Sequence, residues 1–229
     1  VPQRRPLARW LGPALWVDTS QGGLLIDAPE GVVAALREQD LLDKLCWVVV
    51  STARTHSMAG LLGLLDGLSE REGPPLHVVH LLEDARTPLL VAAWTQGWPD
   101  GREVELDGVQ PGTVVELPGA RVLFTGVHAA ERTAEGIEPV RPVAGAVVQV
   151  HGARGTVVWV PTCRLSSRVH RAVADADLAV VQVGRRPWPA TAHPWRLSVE
   201  TAMQVALGAR SHLLVSDDGQ PLSEQSVEH

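Results

Sequence analysis

Tyrosine and asparagine are absent from this 229-residue chain, phenylalanine occurs once, and Lys44 is the only lysine. That bias points to a G+C-rich genome or a warm habitat and carries no chemistry. Cysteine is almost as scarce. Cys46 and Cys163, each beside an apolar run, offer neither the number nor the spacing of a disulfide framework or a zinc knuckle. The plain expectation is two reduced, partly buried thiols in a cytoplasmic protein. No apolar run reaches the roughly 18 residues of a membrane-spanning helix. With 45% hydrophobic and 20% charged residues, wholesale disorder is excluded as well. A formal net charge of −6 argues against a broad sequence-independent nucleic-acid surface, which needs clustered Lys and Arg. A Gly-rich phosphate loop, a Ser-His-Asp order, a nucleophile elbow and internal repeats are all missing.

What the chain does have is one stretch around which the rest is arranged, Trp47 to Leu65. Trp47-Val48-Val49-Val50 reads as a buried strand because its β-branched residues run without interruption. A helix is expected from about Ala59, since Leu61, Leu62, Leu64, Leu65 and Leu68 recur at helical spacing. Between them lies the polar loop Ser51-Thr52-Ala53-Arg54-Thr55-His56-Ser57, delivered at the C-terminal end of a strand, where sites are usually built.

Before this stretch, Ala14 to Asp18 and Leu24 to Asp27 form a predicted hairpin, followed by a helix from Pro29 to about Leu45. After it come a strand Leu76–His80 and a helix Glu83–Trp98. His77 and His80 are three apart in an extended segment, so they face opposite sides and do not share a metal. Short strands follow at 104–106, 114–117, 120–127, 144–150 and 156–160, then a helix 166–174, a strand 178–181, a helix 198–207 and a strand 212–216. The polar segment His128 to Val143 is long enough to be a lid or recognition loop. Two β-rich halves, each followed by helices, predict an α/β protein built as a four-layer αββα sandwich, with two mixed sheets inside and helices outside. One domain is expected over 1–226, with 227–229 set aside as the remnant of a tag.

The order of elements and several local phrases resemble the metallo-β-lactamase fold superfamily. There a strand ends in a His-x-His-x-Asp-His loop that leads into a helix through Gly-Leu. Here the frame Thr52 to Leu61 carries Thr52 and Arg54 at the first two histidines, His56 at the aspartate and Ser57 at the last histidine. A one-residue shift puts His56 on that last histidine instead. Leu123 to His128 is similar to the strand whose terminal histidine binds zinc, and Val158 to Cys163 to the strand ending in a metal-bridging aspartate, with Thr162 in its place. Trp195-Arg196-Leu197-Ser198 resembles the His-Leu-Ser helix start of the ribonuclease-Z-like branch, with Arg196 for the histidine. Asp217 stands where the last histidine would be. A Pro-Gln start and the Gly60-Leu61-Leu62 phrase resemble protein B of pyrroloquinoline quinone biosynthesis.

The resemblance implies a cleft in which most metal ligands are replaced. Threonine is a poor zinc ligand, and arginine, always protonated, is none. Two guanidiniums can replace a cation's charge toward an anion without activating a water. The leading expectation is therefore a non-hydrolytic protein with no metal cofactor. It binds an anionic small molecule, a cofactor such as a quinone, or a protein partner, through Arg54, His56, His128, Thr162, Arg196 and Asp217. The alternative is a phosphodiester or ester hydrolase on a reduced site of zinc, manganese or iron. His56, His128 and Asp217 would hold the metal, with His193 or Asp218 as further ligands. A structural subunit of a complex is the third reading. Cys163 as a nucleophile would need a depressed pKa and a nearby base.

Overall fold

The computed structural model describes residues 8–69, 71, 73–97, 102–132, 140–183, 199–216 and 222. Among them, twelve strands form two six-stranded sheets. The first sheet takes β1 (Ala8–Trp10), β2 (Leu15–Thr19), β3 (Gly22–Ile26), β4 (Leu45–Val50), β5 (Leu76–Leu81) and β6 (Val104–Val109) in chain order. Strands β1 to β3 are an antiparallel meander, and β3 to β6 run parallel. Parallel neighbours need crossovers. These are α1 (Val32–Glu38) before β4, α2 (Thr55–Met58) and α3 (Leu61–Ser69) before β5, and α4 (Arg86–Gly97) before β6.

The second sheet is ordered β12-β11-β10-β9-β8-β7. It contains β7 (Val114–Leu117), β8 (Ala120–Arg132), β9 (Val140–Gly152), β10 (Gly155–Val160), β11 (Leu178–Val183) and β12 (His212–Ser216). From β7 to β10 neighbours are antiparallel, and β10, β11 and β12 are parallel. Helices α5 (Ser167–Val173) and α6 (Val199–Ala206) provide the crossovers. Both sheets are thus mixed, as expected.

Three apolar layers hold these elements together. One lies between the first sheet and α1, α3 and α4. A second, around Phe124 and Trp159, lies between the sheets, and a third between the second sheet and α5 and α6. On α3 the spacing predicted from sequence is realised, with Leu61, Leu64, Leu65 and Leu68 all buried. Each such leucine stabilises the fold by about 1.5–3 kcal/mol relative to exposure. The architecture is the αββα sandwich.

Two expectations are corrected. Where it is described, the segment from His128 to Val143 is paired strand rather than loop, with β8 joined to β9 out to Arg132 opposite Val140, while residues 133–139 of the expected lid or recognition loop lie outside the described residues. Pro142 lies within β9. It shares the parity of Ala144 and Ala146, whose backbone groups point away from β8, so its missing N–H removes no rung of the ladder. The helix after the β4 loop is also divided. One turn of α2 precedes α3, because Gly60 is pressed against the chain leaving β3, its N–H donating to Ala28 O at 2.8 Å. A Cβ on Gly60 would lie 2.0 Å from Pro29 O.

Candidate functional site

The long β8–β9 hairpin projects past the ends of its neighbours, and two loops pair with its free edges. On the β9 side, Ala146 N donates to Ser51 O at 2.8 Å and Ala53 N to Ala144 O at 2.9 Å. On the β8 side, Arg164 N donates to His128 O at 2.9 Å, beside a bridge between Ala129 and Cys163. The loop after β4 and the loop after β10 are thereby held against one hairpin by backbone bonds. These are the loops in which the sequence placed Thr52, Arg54, His56 and Thr162.

Asp27, at the end of β3, holds the two sheets together at this point. Its backbone is left-handed, with φ of 63°, and its carboxylate is buried. Ser51 N and Ser51 Oγ donate to it at 2.7 Å each, and Trp159 Nε1, from the opposite sheet, at 3.2 Å. Burial pushes the Asp27 carboxyl up to about 6, against the opposing pull of the Ser51 and Trp159 hydrogen bonds and the Arg54 charge. Sequence reading noted Asp27 only as the end of a hairpin, and missed its bonds to Ser51 and Trp159. The one available signal was a carboxylate ending an otherwise apolar strand phrase.

Arg54 stands in extended conformation just before α2 and is half-buried. Its positive charge acts on two buried groups, favouring the ionised form of both Asp27 and Cys163. Burial dominates at Cys163 and pushes its thiol up to about 12, so this sulfur is no nucleophile. Thr52 and Ser57, at two of the expected ligand positions, are buried and share a hydrogen bond of 2.7 Å between their hydroxyls. Arg86 Nη1 fastens the loop from outside, donating to Thr55 Oγ1 at 3.0 Å and to Ala53 O at 3.2 Å.

Thr162 is 3% exposed. Its N–H donates to Gln182 Oε1 at 3.4 Å, and its Oγ1 is buried without a hydrogen-bond partner among the described residues. A buried hydroxyl left this way costs about 1–3 kcal/mol. His56 is half-buried on α2, whereas His128 is exposed and lines a neighbouring cleft of about 500 Å³ with Glu83 and Arg168. The structure therefore brings Arg54, Asp27 and the Thr162–Cys163 turn together and sets His128 in an adjoining cleft. Arg196, Asp217, His193 and Asp218 lie outside the described residues.

The described residues do not fit a pair of divalent ions. Two of the hydroxyls are bonded to each other, and a guanidinium charge faces the buried carboxylate. No three His, Cys, Asp or Glu side chains converge among the described residues. The fixed positive charge would oppose a metal and attract an anion. Among the described residues no helix is long and apolar enough to cross a membrane.

No protein-family model matches the sequence, and no curated protein matches it. Solved structures do match by shape. The metallo-β-lactamase fold protein YhfI from Bacillus subtilis has a TM-score of 0.69 at 16% identity, over 89% of this chain and 77% of its own. Zn2+-bound PqqB from Methylobacterium extorquens has 0.66 at 14% identity, over 87% and 76%. The short form of human tRNase Z has 0.66 at 12% identity, over 91% and 88%. Identities this low speak for architecture alone. By its strand order, its four layers and these matches, the protein has the metallo-β-lactamase fold.

Proposed function

We propose that this protein is a non-hydrolytic member of its fold class that binds an anionic small molecule or cofactor in the cleft where relatives of this shape hold metal. The observation that carries the reading is the place of Arg54, half-buried just before α2 in the loop that pairs with β9, near enough for its charge to act on Asp27 and Cys163. A guanidinium presents a planar fork of donors that matches carboxylate and phosphate oxygens. Thr162 Oγ1, buried with no partner among the described residues, adds a neutral hydroxyl that can donate to the same anion. Asp27 limits what binds. It is already engaged by three donors, so it holds the loop and offers the ligand nothing.

Names of similarly shaped proteins include a tRNase and a zinc-bound protein, and these keep a second reading in view. A metal hydrolase would use His56 and His128 together with Asp217. The experiment that separates the readings is thermal denaturation with phosphate, sulfate and citrate, for the wild type and Arg54→Ala. The expected result is a rise in Tm with at least one anion that Arg54→Ala abolishes. A rise of equal size in the variant would overturn the reading.

A further inference from the structure

The protein carries a net charge of −6, yet from Pro139 to Ala174 it contains no aspartate or glutamate. In that acid-free stretch Arg164, Arg168 and Arg171 follow one another after β10, at the end of the sandwich that holds Arg54. All three are exposed. Among the described residues no carboxylate pairs with Arg168 or Arg171; the latter only bonds back to Ser167 O at 3.4 Å.

Their positions are continuous with the proposed anion site. The loop that carries Arg54 and the turn that carries Cys163 pair with the two edges of the same β8–β9 hairpin. Arg164, which follows Cys163, donates its N–H to His128 O. His128 and Arg168 line one cleft of about 500 Å³, and Arg168 and Arg171 line the next, of about 490 Å³. The two clefts share Gly126 and Pro111 along the part of β8 that runs beyond its pairing with β7. Glu83 is the one acidic residue in either lining.

We infer that this line of arginines extends the Arg54 site into a track for a small molecule bearing several adjacent phosphates, its terminal phosphate toward Arg54 and its chain running along Arg164, Arg168 and Arg171. The inference rests on the anion-binding reading and narrows its ligand to an oligophosphate. Successive phosphates carry closely spaced charge that one guanidinium does not neutralise, and a file of guanidiniums does. Single-stranded nucleic acid is the less favoured source of such a charge pattern. Its binders stack successive bases on several aromatic side chains, and the described lining offers only the exposed imidazole of His128, since Phe124 is fully buried in the core between the sheets.

The test is calorimetric titration at low salt with inorganic tripolyphosphate, orthophosphate, citrate and a ten-nucleotide single-stranded DNA. The wild type is expected to bind tripolyphosphate at least about tenfold more tightly than orthophosphate, since each added charge-assisted contact is worth about that factor. Arg168→Ala with Arg171→Ala should erase the preference and leave orthophosphate affinity unchanged, while Arg154→Ala at the other end of the sandwich changes neither. Equal affinity for the two phosphates, or a preference that survives the double variant, would overturn the track and leave the Arg54 site standing. Binding of neither phosphate would also overturn it, with the citrate response then judging the anion-binding reading by itself. Tighter binding of the oligonucleotide than of tripolyphosphate would overturn the choice of a small ligand.

Discussion

At the end of the sandwich away from the β4 loop, Asp18 accepts hydrogen bonds from Trp16 Nε1 at 2.8 Å and Arg154 at 3.1 Å. Asp177 there accepts from Thr156 N at 2.8 Å and Arg210 at 3.0 Å. The cavity lined by Asp18 and Arg154, about 720 Å³, is larger than the cleft beside His128, about 500 Å³. At the β4 end the pattern is different. Arg54 faces a buried carboxylate and a buried thiol, and Thr162 Oγ1 meets no described partner. Volume therefore does not mark the site. The distal end pairs its aspartates with arginines, as a closing structure does, while the β4 end places a half-buried arginine whose charge acts on a buried carboxylate, and a buried hydroxyl with no described partner.

One glycine at each end, Gly60 and Gly152, contrasts a close backbone approach with open space. Gly60→Ala should cost about 3 kcal/mol or more, because its new methyl meets the Pro29 carbonyl and neither chain segment is free to shift. Gly152→Ala in the distal β9–β10 turn, where the nearest atom is 3.9 Å away, should stay within about 0.5 kcal/mol. Urea denaturation of both variants checks the contrast. A mild effect at Gly60 would break it.

The aspartates at the two ends shift in opposite directions. Asp27 is raised, so the folded state binds its proton more tightly than the unfolded chain. Its contribution is fully present below the ordinary value of 3.8 and is lost as pH rises to about 6. That amounts to about 3 kcal/mol. At Asp18 burial pushes the pKa up, but hydrogen bonds from Trp16 and Arg154, with the charges of Arg9 and Arg154, outweigh it and leave it lowered. Its contribution is present above the ordinary value and is lost as pH falls through the lowered one. Stability measured from about pH 2 to 7.5 should show the Asp27→Asn difference from wild type changing between 3.8 and about 6 and the Asp18→Asn difference changing below 3.8, with opposite slopes. Slopes of the same sign would show that the two ends are not electrostatically distinct.

A smaller effect is expected at Thr162. Thr162→Val removes a buried hydroxyl with no described partner, and should leave the free protein unchanged or more stable by about 1 kcal/mol. The anion-induced rise in Tm should fall. A loss of stability without ligand would mean that the hydroxyl serves the fold and not a ligand.

Much of this architecture was readable in the residues. The β-branched run ending at Val50 and the leucines of α3 were found because burial imposes a period on sequence. The polar loop from Thr52 to Ser57 was also readable as the segment that leaves the C-terminal end of β4. The β8–β9 hairpin was not, because small residues and Pro142 read as loop, and their pairing depends on which edge each backbone group faces. Nor was the Asp27 network, whose partners lie 24 residues from Asp27 at Ser51 and 132 at Trp159. Such a network has no local signature, because folding alone brings its members together.

The most direct test of the account is the metal content of tag-free protein purified without chelator. The Arg54 cleft predicts zinc, manganese and iron well below one ion per chain, unchanged by His128→Ala. Close to one ion per chain, lost in His128→Ala, would contradict it and make the protein a metal hydrolase candidate.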